Sequence, residues 1–127
     1  MRIDSALWKY SAADGVLLGC TVAQFLATAA WVCAFNALGL GWNIAIFGVM
    51  ALLFYYNPIV VTHNFLHCPF FKSARLNRAF AIFNSANLFL PQSLYKYHHL
   101  AHHKFSNDPI ENGTTQDPSS TYRYGRN

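Results

Sequence analysis

From Gly15 through Phe71 the chain contains no Asp, Glu, Lys or Arg, although nine basic and five acidic residues occur among its 127. A surface helix of a soluble domain keeps one polar face, so a charge-free stretch of this length excludes an ordinary water-soluble globule. Cysteine is equally thin. Cys20, Cys33 and Cys68 form no CxxC pair, which argues against a secreted disulfide framework and a cysteine-based zinc site; they read as buried, reduced thiols. No internal repeat and no low-complexity segment is present. The first apolar run is too long for the core of a cleaved signal peptide, and the residues before it mix Asp4 and Asp14 with Arg2 and Lys9.

The apolar block has room for two helices of the roughly 20 residues needed to cross a bilayer. The first is expected over 15–38 and the second over 43–62, with Gly39-Leu40-Gly41-Trp42 as a tight turn and Trp42 at the interface. The Gly-x-Gly turn favours a hairpin over one long buried helix. Residues 1–14 form a lead-in with Trp8 and Tyr10 as interfacial anchors. Asn57-Pro58 interrupts the second span just before His63; a proline there either kinks the helix and turns its end inward or is simply tolerated in the membrane.

Basic residues orient the hairpin. Its turn carries none, whereas Arg2 and Lys9 precede the first span and Lys72, Arg75, Arg78, Lys96, Lys104, Arg123 and Arg126 follow the second. Both termini are therefore expected in the cytoplasm of a multi-pass integral membrane protein. The net charge of +4 is explained by this topology and by anionic lipid headgroups, with no need of nucleic acid. From Lys72 to Leu90, Leu76, Phe80 and Phe83 recur at helical spacing, while Asn77, Asn84 and Asn87 make a third span too polar. An interfacial or re-entrant helix ending at Pro91 is expected. The fold class is thus all-α: a transmembrane hairpin, an interfacial helix and a cytoplasmic helix. A histidine-rich region is placed at 63–110, with a turn at Asn107-Asp108-Pro109 and a cytoplasmic loop over 111–127.

All six histidines fall in two windows, His63 to His67 and His98 to His103. Residues four apart on a helix lie one above the other, so His63 and His67 face the same way, as do His98 with His102 and His99 with His102 or His103. Two pre-aligned clamps beside one membrane face point to a metal, since imidazole binds iron, copper, zinc and nickel. A histidine-rich set suits redox iron or copper better than structural zinc. Cys68, one residue after His67, faces away from that side of a helix.

His63-x-x-x-His67 and His99-x-x-His102-His103, about thirty residues apart and preceded by a transmembrane hairpin, resemble the first two histidine boxes of the membrane fatty acid desaturase and hydroxylase superfamily. Lys104-Phe105-Ser106-Asn107-Asp108 resembles the end of its second box. The resemblance covers about residues 15–120 and implies a partial desaturase domain over 1–127. It also implies a cytoplasmic centre of two non-haem iron ions held by eight or more histidines from three boxes. The implied reaction is dioxygen-dependent introduction of a double bond into a fatty acyl lipid or acyl thioester. The two electrons come from a cytochrome b-type or ferredoxin donor.

His63, His67, His99, His102 and His103 are the implied iron ligands. His98 is either an alternative start of the second box or a partner of a ligand. Asn64 stands where the family often has an acidic residue. The third box is missing, so the chain is expected to be an N-terminal portion that does not turn over alone. The alternatives are a membrane lipid or carotenoid hydroxylase of the same superfamily and a non-enzymatic protein binding haem or another metal.

Overall fold

The computed structural model describes residues 6–106, so the expected cytoplasmic loop over 111–127 and the turn at Asn107-Asp108-Pro109 lie outside the described residues. Among the described residues the protein is all-helical, in two compact units divided after Phe89. The first unit holds α1 (Asp14–Ala34), a 3-10 turn (Phe35–Ala37), α2 (Leu40–Tyr56), a π-helical segment (Asn57–Thr62), α3 (His63–His67) and α4 (Ala74–Leu88). The second holds α5 (Gln92–Phe105).

Among the described residues two helices are long and apolar enough to cross a membrane, 14–37 with 24 residues and 40–67 with 28. They pack antiparallel. Trp31 meets Asn43 near the turn, the Thr28 hydroxyl meets the Met50 sulfur at 3.7 Å, and Gln24 meets Asn57 further along. Outward-facing apolar side chains remain uncovered, among them Val32, Trp42, Phe47, Leu52 and Tyr55.

The turn lies earlier than glycine spacing predicts. Leu40, Gly41 and Trp42 are already helical, and Gly39 in an extended conformation precedes α2. The turn is closed by Asn43 instead. Its amide donates to the carbonyls of Phe35 and Leu38, both at 3.1 Å, and its oxygen accepts from the Trp31 indole at 2.9 Å. The second helix also runs past residue 62 as far as His67, because the residues around Pro58 widen into a π turn and the helix does not stop there.

The lead-in pairs with the segment after α3. Lys9 N–H donates to Phe70 and Lys72 N–H to Leu7, an antiparallel bridge that places Trp8 opposite Phe71 with their rings stacked at 5.2 Å. The start of α1 and the end of α3 are thereby tied side by side. Gly15 makes room for this: a Cβ there would stand 2.9 Å from Trp8 Cζ2. Gly15→Ala should therefore lower unfolding stability in detergent by about 1–3 kcal/mol, the usual cost of overpacking. An unchanged unfolding midpoint would show that Trp8 is not held against the helix.

The helix expected over 72–90 is α4. Its start is set by Ser73, whose hydroxyl accepts from Leu76 N–H at 3.4 Å, and its end by Phe89, which takes the left-handed conformation (φ 53°) two residues before Pro91. Phe80, Asn84 and Asn87 are buried, so the asparagines lie on the packed face of α4. Phe83 meets Phe25 of α1 edge-on at 5.3 Å. Phe65, Phe70 and Phe80 form a triad with ring centroids 4.7–5.3 Å apart. All three cysteines are free, as expected, but their burial is not: Cys33 and Cys68 are exposed and Cys20 half-buried. Two helices cover only one face of each other, so Cys33 sits on an uncovered face.

Candidate metal centre

The first histidine pair is positioned by a defect in the helix. Pro58 has no N–H to bond the preceding turn, and the backbone responds with wider hydrogen bonds, His63 N–H reaching both Pro58 and Val60 carbonyls. The Asn64 amide folds back to donate to the Val60 carbonyl at 2.7 Å. Asn64 thus secures its own helix. Beyond the π turn, Phe65 and Leu66 point into the core, which leaves His63 half-buried and His67 exposed on the other side. Their ring centroids are 4.8 Å apart, as the four-residue spacing predicts. Cys68 ends α3 with its N–H on the Asn64 carbonyl.

The second window lies wholly on α5. His99 and His103 bring their Nε2 atoms to 3.1 Å. Tyr95, one turn earlier, stacks on His99 at 5.6 Å between centroids and 26° between planes. His102 is half-buried with its ring 5.9 Å from that of His103. His98 is exposed and set edge-on to Tyr97 at 5.7 Å. Of the two pairings open for His99, the structure brings it to His103.

The spacing of the second pair tests the fit to a metal. Nitrogens bound at roughly 2.1 Å to one ion stand about 3.0 Å apart at right angles and about 3.4 Å apart in a tetrahedron. The observed 3.1 Å is close to the right-angled value, so the rings already stand at the separation of two neighbouring ligands. The same separation also permits a hydrogen bond from a ring that carries its proton on Nε2 to one that does not. Neither window contains a carboxylate or an adjacent thiol donor apart from Cys68. Lys104 in the last turn of α5 also complements the negative end of the helix dipole.

Behind the first pair runs a chain of buried polar side chains that histidine spacing gives no hint of. The Asn57 amide donates to Gln24 Oε1 at 2.7 Å, the Thr62 hydroxyl to Asn57 Oδ1 at 3.2 Å, and the Asn84 amide to Thr62 Oγ1 at 2.8 Å. All four residues are at most 2% exposed. Their sequence signal is the presence of Gln24, Asn57 and Thr62 among the few polar residues of the charge-free block, where a polar side chain needs a partner.

No protein-family model, no curated protein and no solved structure matches the chain.

Proposed function

We propose that this chain supplies the first two histidine sets of a membrane non-haem di-iron oxygenase acting on fatty acyl chains, with desaturation ahead of hydroxylation. The observation that carries the metal reading is the His99–His103 nitrogen separation of 3.1 Å. The His63/His67 pair at the same four-residue spacing supports it. The acyl substrate rests on the resemblance of the two boxes and on the place of the first at the end of the second long apolar helix.

In this reading 14–37 and 40–67 cross the bilayer as a hairpin. At 1.5 Å per residue, about 20 residues of the second helix span a hydrocarbon core of about 30 Å. Counted from Leu40, the core ends near residue 60, and His63 and His67 emerge at the boundary. The bridge between Trp8 and Phe71 joins the two ends on that same side, where Lys9, Lys72, Arg75 and Arg78 also lie. This is the cytoplasmic side by the distribution of basic residues.

His63, His67, His99, His102 and His103 bind the irons, and His98 remains outside the ligand set. Tyr95 orients the His99 ring, and the π segment orients His63. When bound, the iron pair supplies dioxygen chemistry able to remove hydrogen from an unactivated acyl C–H bond, given two electrons from a carrier protein. Five histidines do not fill two six-coordinate ions, so the remaining ligands are assigned to a third histidine set outside this sequence. Exposed apolar surface on the two long helices, one of which carries the first pair, favours an acyl chain over a water-soluble substrate.

The test is metal and lipid analysis of membranes carrying the chain together with a segment providing a third histidine set. Non-haem iron and acyl chains two hydrogens lighter by mass spectrometry are expected. A haem Soret band in place of non-haem iron overturns the proposal, and acyl chains gaining one oxygen reassign it to hydroxylation.

A further inference from the structure

The buried chain Gln24, Asn57, Thr62 and Asn84 joins α1, the π segment and α4, and Thr62 immediately precedes His63. A π turn holds one more residue than an α turn, so whether it persists sets the direction in which every later side chain leaves the helix. Each residue of shift turns the following pair by about 100° around the axis. Packing does not fix this segment on every side. An apolar cavity of about 260 Å³ borders it, lined by Ala23, Ala27, Leu53 and Val61 together with Gln24 and Asn57. Hydrogen bonds must hold what packing leaves loose.

We propose that the Thr62 hydroxyl is a positioning group for metal binding, which holds the π segment so that His63 and His67 face the metal. This inference rests on the metal-site reading above. Thr62 is the one member of the chain whose single oxygen both donates and accepts, to Asn57 and from Asn84. Removing it breaks two of the three links at once. Asn84 brings α4 into the same arrangement, so the histidine pair is referenced to the packed unit and not to α2 alone.

The experiment titrates cobalt(II) and copper(II) into the whole chain in lipid nanodiscs, with pulsed electron paramagnetic resonance to count the histidine nitrogens on copper. Thr62→Val is compared with Thr62→Ser and with Asn43→Ala, a control that loosens the far end of the hairpin without touching the chain. Thr62→Val is expected to lower affinity by about 10–100-fold, the range found when groups that orient ligands are removed, and to reduce the nitrogen count. Thr62→Ser should restore both, and Asn43→Ala should change neither. Asn84→Ala, which removes only the donor to Thr62, gives the same reading where Thr62→Val does not fold. If Thr62→Val, or Asn84→Ala in its place, matches Asn43→Ala while the wild type binds through histidine, this inference alone is overturned. A wild type without histidine-bound metal overturns the metal reading and this inference together.

Discussion

His99→Ala should weaken metal binding at least about 100-fold, while His98→Ala, one residue earlier, should change it by no more than about twofold. Loss of a group that merely orients a ligand costs about 10–100-fold, so loss of a ligand costs more. A surface substitution away from such a feature stays within about 0.5 kcal/mol, roughly twofold. The contrast follows from where the rings sit: His99 Nε2 stands 3.1 Å from His103 Nε2 with Tyr95 stacked against it, and His98 lies exposed along Tyr97. Calorimetric titration of cobalt(II) into each variant measures both. Equal losses from the two substitutions would mean that charge or general histidine content governs binding. The double variant His63→Ala with His99→Ala adds a second reading, because losses that fail to add indicate that the two pairs serve one centre.

The largest effect on stability is expected from Phe80→Ala, about 3–5 kcal/mol, the usual cost of removing a buried aromatic ring. Phe80 is 4% exposed and faces Phe65 at 4.7 Å and Phe70 at 5.3 Å between ring centroids. These three rings connect α4 to α3 and to the segment after it. Truncation therefore leaves a cavity that Phe65, which lies between His63 and His67 on α3, cannot fill without moving. Ile82→Ala on the same helix is the comparison, since Ile82 is 65% exposed and buries little against protein. Denaturant unfolding in mixed micelles reads the difference. Comparable losses from Phe80→Ala and Ile82→Ala would show that α4 is held by the surrounding detergent or lipid and not by the aromatic triad.

Charge distribution alone located both long apolar helices, since nothing but a membrane or a deep core accommodates so many uncharged residues in succession. Histidine spacing located both pairs, because the four-residue rule depends only on helical geometry. Three features required the structure. Gly39 and Gly41 mark the turn in the sequence, but glycine marks only conformational freedom, whereas Asn43 supplies the hydrogen bonds that close it. Asn84 and Asn87 counted in the sequence only against a third span, yet both are buried and Asn84 has the Thr62 hydroxyl for a partner. The link from Trp8 to Phe71 joins residues too distant in sequence for any local pattern to register. The pairing of His99 with His103 was one of two alternatives that spacing left open.

The closure of the turn between α1 and α2 bears on biogenesis. A hairpin entering a bilayer must carry its turn across first, and each charge or bare backbone group carried with it raises the barrier. Residues 35–43 contain no charged side chain, and Asn43 occupies two backbone carbonyls and the Trp31 indole before any water is lost. In the proposed membrane reading the two helices therefore insert as a preformed pair, with the polar groups of the turn already paired. In that reading the small cap of the folded protein also lowers the barrier to membrane entry.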